Sequence, residues 1–173
     1  GDWAGLLKLS QDRLLRDPSN SNWWVVLGYA LQQQGQYRDA IEALTRATRI
    51  NPEDIDAWNL LADTQRRAGQ PGASARTLER AVSVDPTSPI TRFLLGEAYR
   101  DDGRFDAATA AYRDALGLSP RLAPAWFGLG LTMISSGRLE GLDAIANNLK
   151  ELDPALAAEL GRLRNDPAAA MRK

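Results

Sequence analysis

Apolar residues along the chain fall at helical spacing, and the same order of positions returns every 34 residues. Leu27, Leu61, Leu95 and Leu129 mark one phase. Trp24, Trp58 and Trp126 mark another, with Arg92 standing in the third register. Small residues hold a further phase at Gly28, Ala62, Gly96 and Gly130. Ala47, Ala81 and Ala115 hold one more, where Leu149 then takes the place. Gly35, Gly69, Gly103 and Gly137 recur in step, as do Pro18, Pro52, Pro86, Pro120 and Pro154. Each period predicts two amphipathic helices, A and B, joined by a tight turn. The turn glycine ends helix A, where a left-handed backbone costs little only for Gly. The boundary proline cannot continue helix B, and Pro71 is placed to open one, where its missing N–H is not needed. The small residue at Gly28 and its equivalents lets A and B approach closely. Trp24, Leu27, Leu31, Tyr37 and Leu44 are predicted to interlock within and between repeats. One helix pair cannot bury that surface, whereas stacked neighbours can.

These phases place four full repeats at 21–54, 55–88, 89–122 and 123–156, within a single domain over 1–173. The ends differ from the repeats. Residues 3–16 read as a helix in the phase of a preceding helix B, with Trp3, Leu6 and Leu7 apolar but Ser10 and Arg13 at positions that are apolar or small elsewhere. That is either a solvating cap or the edge of a longer array. Residues 155–165 read as a partial helix A with Leu160 and Leu163 in core phase. Arg164 stands where a small residue belongs and should block a following helix, so this segment is the expected C-terminal cap. Asn165-Asp166-Pro167 ends it, and a loose tail is expected to Lys173.

The first unit reads Trp24-x2-Leu27-Gly28-x2-Leu31, then Gly35, Tyr37, Ala40, Leu44, Ala47 and Pro52. The third reads Leu95-Gly96-x2-Tyr99, then Gly103, Phe105, Ala108, Tyr112, Ala115 and Pro120. This pattern resembles the tetratricopeptide repeat (TPR) family over most of the chain. The resemblance implies an all-α, right-handed superhelical solenoid of antiparallel helix pairs with flanking cap helices.

It also implies a peptide-binding groove lined by helix A. Carried onto this sequence, the groove positions are Asn22, Val25, Tyr29, Gln32 and Gln33 in the first repeat, and Asp56, Asn59, Asp63, Arg66 and Arg67 in the second. The third offers Ile90, Phe93, Glu97, Arg100 and Asp101, and the fourth Pro124, Phe127, Leu131, Ile134 and Ser135. The N-terminal half is polar and charged. The C-terminal half, with Ile90, Phe93, Phe127, Leu131 and Ile134, is apolar, as interaction surfaces often are. The other reading is that the C-terminal segment or a neighbouring molecule covers it. Asp63 and Glu97 occupy equivalent positions on adjacent repeats, which invites a Lys or Arg from a ligand. Alternatively Arg66, Arg67 and Arg100, three or four residues on, satisfy them internally. The Lys/Asn/Arg clamp of chaperone-binding members is not matched, because its positions hold Val25, Tyr29, Asn59, Asp63, Phe93 and Glu97. Trp24, Trp58 and Trp126 are core by phase, and Trp3 and Trp23 are expected to pack together under the N-terminal helix.

Composition narrows function. The chain has 173 residues, 44% hydrophobic and 25% charged, which suits a folded domain. Its formal net charge is -1, with 21 Lys+Arg against 22 Asp+Glu, so no general nucleic-acid affinity is expected. There is neither Cys nor His, which removes disulfides, thiol nucleophiles, Cys/His zinc sites and imidazole catalysis. No phosphate-binding Gly-rich loop is present, and no cofactor or metal is expected. No apolar run is long enough to cross a bilayer, so no direct membrane insertion is expected. Gly1-Asp2-Trp3 opens without the basic region of a signal peptide. The sequence therefore points to a non-catalytic scaffold or adaptor with a protein or peptide partner. A self-associating structural solenoid and the regulatory arm of a larger enzyme are the alternatives. The Ala- and Arg-rich style, and Leu14-Leu15-Arg16-Asp17-Pro18 leading into Trp24, are similar to bacterial envelope-assembly modules, which tilts the expected setting toward the bacterial envelope.

Overall fold

The computed structural model describes residues 1–166, which contain ten helices and no strand. They form two compact units, one spanning Gly1–Pro86 and the other starting at Thr87. The expected loose tail falls on 167–173, outside the described residues.

The first unit holds α1 (Trp3–Arg16), α2 (Ser21–Gln33), α3 (Tyr37–Ile50), α4 (Ile55–Arg67) and α5 (Pro71–Val84). Each packs against the next in the chain. The second unit holds α6 (Pro89–Asp101), α7 (Phe105–Leu118), α8 (Ala123–Ser135), α9 (Leu142–Leu152) and α10 (Pro154–Asn165). There too consecutive helices pack, and α8 also meets α10.

The turns between A and B helices share one construction. Gly35, Gly69, Gly103 and Gly137 have φ of 75, 73, 74 and 72°. The residue after each glycine donates its N–H five residues back, as Gln36 does to the Leu31 carbonyl at 2.9 Å and Arg104 to Tyr99 at 2.8 Å. This closes the helix ends that would otherwise leave carbonyls unpaired. Pro71 is the first residue of α5. The fourth repeat departs from the pattern. Gly141, at φ 83°, caps α9, so that helix begins three positions later than the 34-residue register of Tyr37, Pro71 and Phe105 predicts. At its end Asp153 closes α9 and also caps α10, accepting from the N–H groups of Ala155 and Leu156. Pro154 therefore sits inside α10 as its first residue, one position earlier than expected.

The close approach of helices rests on a bulky side chain of helix B pressed onto a small residue of helix A. A Cβ placed on Gly28 would come within 2.5 Å of Leu44, and one on Gly96 within 2.7 Å of the Tyr112 ring. Tyr112 is fully buried and meets a second glycine: a Cβ on Gly128 of α8 would lie 2.6 Å from the same ring. Gly128 is not one of the periodic glycines, for Val26, Leu60 and Leu94 hold its register. Its reason is size. Tyr112 stands where the earlier repeats have Leu44 and Leu78, and the larger ring takes the space of a side chain on the next helix. In α1 the same register holds Ser10, which is fully buried and donates its hydroxyl to the Leu7 carbonyl at 2.8 Å.

The tryptophans tie helix A to the turn before it. The indole N–H of Trp24 donates to the Pro18 carbonyl, that of Trp58 to Pro52 and that of Trp126 to Pro120, at 2.9, 2.8 and 2.8 Å. Trp58 is buried, but Trp24 and Trp126 are only half-buried, so the indoles fasten the surface of the stack as much as fill its core. Arg46 and Arg80 lie over the rings of Trp24 and Trp58, 4.8 and 5.2 Å from the centroids. In the third repeat both partners change. Arg92 replaces the tryptophan, Asp114 replaces the arginine, and the two form an ion pair at 3.9 Å.

Gly96→Leu should therefore lower stability by at least about 1–3 kcal/mol, the usual cost of overpacking, since its side chain must displace a fully buried ring. Urea unfolding checks this, and an unchanged midpoint would contradict the interlock.

Candidate functional site

The positions assigned to a groove lie on the A helices α2 and α4 in the first unit and α6 and α8 in the second. In the first unit Tyr29 is 39% exposed and receives the edge of Trp3, with centroids 5.6 Å apart and planes at 86°. Trp3 thus pairs with Tyr29, and Trp23 receives Arg13 at 5.6 Å, so the expected Trp3–Trp23 packing is replaced by these two contacts. Gln32 is not a groove contact. It is buried, and its amide N–H2 donates to Asp63 and Thr64, both at 3.0 Å, which bridges α2 to α4. Asp63 also accepts from Arg66 at 3.2 Å and Arg67 at 2.7 Å. Asn59 is half-buried, with an Oδ1 that is shielded from solvent and has no hydrogen-bond partner.

In the second unit Glu97 accepts from the Tyr112 hydroxyl at 2.5 Å and from both terminal nitrogens of Arg100 at 3.0 and 3.1 Å. Arg100 reaches on to Asp101 at 3.2 Å. The carboxylates of Asp63 and Glu97 are thus each satisfied inside their own unit, which is the internal alternative rather than a vacancy for a ligand cation. Ile90 is 48% exposed, and Phe93 and Phe127 are half-buried against the core. The Phe93 ring lies 6.1 Å from Tyr112. Leu131 and Ile134, expected on the open apolar surface, are buried in one cluster with Leu142, Ile145, Leu160 and Leu163. The reason is that α8 packs against both α9 and α10. Arg164 bonds Asp143 of α9 across the cap. Of the apolar groove positions in this unit, Ile90 is left exposed, and Phe93 and Phe127 are left half-buried.

Sequence reasoning missed the Tyr112–Glu97–Arg100 network. Its only signal is a tyrosine hydroxyl at a position that is leucine in the earlier repeats. Burial, and next the charge of Glu97, hold the Tyr112 phenol far above its ordinary pKa of 10.0. A raised folded-state pKa gives stability that is complete below the unfolded value and declines as pH rises past it. The protein should lose stability as pH climbs above 10.0, and Tyr112→Phe should flatten that decline. Thermal unfolding of both proteins at a series of alkaline pH values checks this, and parallel curves would contradict it.

Comparisons with known proteins bear on the family and the fold. Residues 25–89, 60–124 and 93–141 match the tetratricopeptide repeat family model. A TPR repeat-containing protein of Methanocaldococcus jannaschii is 43% identical over 44 residues, which is 25% of this chain and 8% of that protein. Among solved structures, YrrB, described as a TPR protein with an unusual peptide-binding site, aligns with a TM-score of 0.77 at 21% identity over 94% of this chain and 84% of its own. MamA aligns with a TM-score of 0.76 at 23% identity over 96% of this chain and 92% of its own. MamA from Desulfovibrio magneticus RS-1 gives 0.72 at 20% identity over 90% and 97%.

Proposed function

The chain belongs to the tetratricopeptide repeat family, and on that premise we propose that it is a non-catalytic scaffold that holds a protein or peptide segment against its A helices. The observation that carries this reading is the set of apolar positions Ile90, Phe93 and Phe127. Ile90 of α6 is exposed, and Phe93 of α6 and Phe127 of α8 are only half-buried against the core, while the other apolar side chains of the two helices, such as Leu95, Leu129 and Leu131, are buried in it. Apolar anchors in a surface that can be desolvated commonly dominate binding energy. The A-helix positions of the first unit are polar: Tyr29 is exposed, and Arg67 is exposed but already donates to Asp63. Glu97, Arg100, Asp63 and Arg66 act mainly as internal ties. YrrB's peptide-binding site supports the reading by kinship of fold. An envelope setting rests on the likeness of the 14–28 stretch to bacterial assembly modules. Among the described residues no helix is long and apolar enough to cross a membrane.

The packing of Phe93 and Phe127 changes how the reading is tested. Truncating both to Ala would disturb the core as well as the surface, and Glu97→Ala would strip a buried tyrosine of its acceptor. Ile90→Glu is cleaner, because the side chain is 48% exposed. Peptides selected for binding to the chain from a displayed library should carry an apolar anchor, and Ile90→Glu should weaken them at least about tenfold, the effect of losing one hot-spot contact. The circular-dichroism spectrum should be unchanged. Selected peptides that bind wild type and variant equally would move the contact surface elsewhere.

A further inference from the structure

The first unit carries a second surface that the A-helix reading does not use. Between α3 and α5, over α4, lies a groove of about 620 Å³. Arg49, Arg76 and Arg80 line it, with no carboxylate among the lining residues. None of the three guanidiniums makes an ion pair among the described residues. Arg80 instead lies over the ring of Trp58, 5.2 Å from its centroid, on the floor of the groove. Gln65 also lines it, and its amide oxygen accepts the Thr77 hydroxyl at 2.8 Å, which leaves the N–H2 end as the available group. The wall thus offers donors and positive charge on an aromatic floor.

The preceding repeat supplies an internal control. A groove of about 420 Å³ occurs there over α2, in the same register. Trp24 takes the place of Trp58, Leu27 of Leu61, and Arg46 of Arg80. The groove is therefore a product of the repeat geometry, but its chemistry is not repeated. Glu42 stands where the later groove has Arg76, and Asp39 where it has Ala73. Glu42 neutralises Arg46 directly at 2.8 Å. Leu15 stands at the register of Arg49. At one site the arginine is balanced by two carboxylates. At the other both acids are gone and two further arginines have been added.

Three unbalanced guanidiniums around one cavity repel one another and gain most from a multiply charged anion. A carboxylate is satisfied by one bidentate arginine, whereas a phosphate monoester brings nearly two charges and three acceptor oxygens. The volume lies in the range of small-ligand pockets. The chain's net charge of -1, with this cationic set confined to one cavity, favours a discrete phosphate over a polyanion. We propose that the α3–α5 groove is a binding site for a phosphate monoester, carried on a peptide side chain or on a small molecule. Arg76 and Arg49 are the recognising charges, and Arg80 is the one pre-positioned by Trp58. The site is separate from the A-helix surface, so the two stand or fall independently.

The test is calorimetry of the full chain with four probes: a short phosphoserine peptide, its unphosphorylated form, a sugar phosphate and inorganic phosphate. Saturable one-site binding of the phosphoserine peptide or the sugar phosphate is expected, and whichever binds more tightly identifies the carrier. Arg76→Glu, which installs the residue type of the preceding groove, should weaken binding at least tenfold, and Arg76→Gln by less. Arg46→Gln in the sister groove should leave it within twofold. Both substituted side chains, Arg76 and Arg46, are exposed, so the fold should persist by circular dichroism. The proposal is overturned if neither ester saturates the site, if the unphosphorylated peptide binds as well, or if inorganic phosphate binds without either ester. It is overturned equally if Arg46→Gln costs as much as Arg76→Glu.

Discussion

Everything in this molecule depends on a large side chain of one helix being received by a small residue on another. Leu44 on Gly28, Tyr112 on Gly96 and Gly128, and Leu160 on Gly130 bring helix backbones closer than ordinary side chains allow. Dispersion at such contacts is gained only if the fit is close, because interiors are packed like crystals. A helix of 13 or 14 residues, the usual length here, is marginal alone. Its stability comes from this interlock with its neighbours, which is why the structure exists only as a stack.

The periodic part of that interlock was legible in the sequence. The turn glycines, the boundary prolines and the small–large phases at Gly28/Leu44 and Gly96/Tyr112 all recur in register, and each has a local physical reason. What could not be read were the compensating changes within and between repeats. Gly128 follows from the size of Tyr112, and the Arg92–Asp114 pair follows from the loss of a tryptophan and its covering arginine. Each is a joint change of two residues far apart in sequence, so neither is visible as a broken period alone. The candidate groove was legible only as a set of positions. Gln32, Leu131 and Ile134 fall in the right phase but are taken up by bridging between helices or by the cap. Phase states which side of a helix a residue occupies. It does not state whether another helix already covers that side.

The interlock also decides which surfaces remain for function. Helix A spends its small residues and leucines inward and leaves Ile90, Phe93 and Phe127 partly free. Helix B spends its alanines inward and leaves its arginines along a groove. Because the repeat builds the same groove more than once, sequence change within it alters chemistry without altering the fold. The acidic groove over α2 and the cationic one over α4 are two products of one geometry.

The central claim is most directly tested by a double-mutant stability cycle on Tyr112 and Gly128. Tyr112→Leu and Gly128→Leu restore, singly and together, the residue types that the earlier repeats carry at these positions. Size compensation predicts that Gly128→Leu alone is strongly destabilising and that adding Tyr112→Leu recovers part of the loss. The coupling should fall within the roughly 0.5–3 kcal/mol seen for residues in contact. Effects that add to within about 0.5 kcal/mol would contradict the account, because residues that share no space have no reason to compensate.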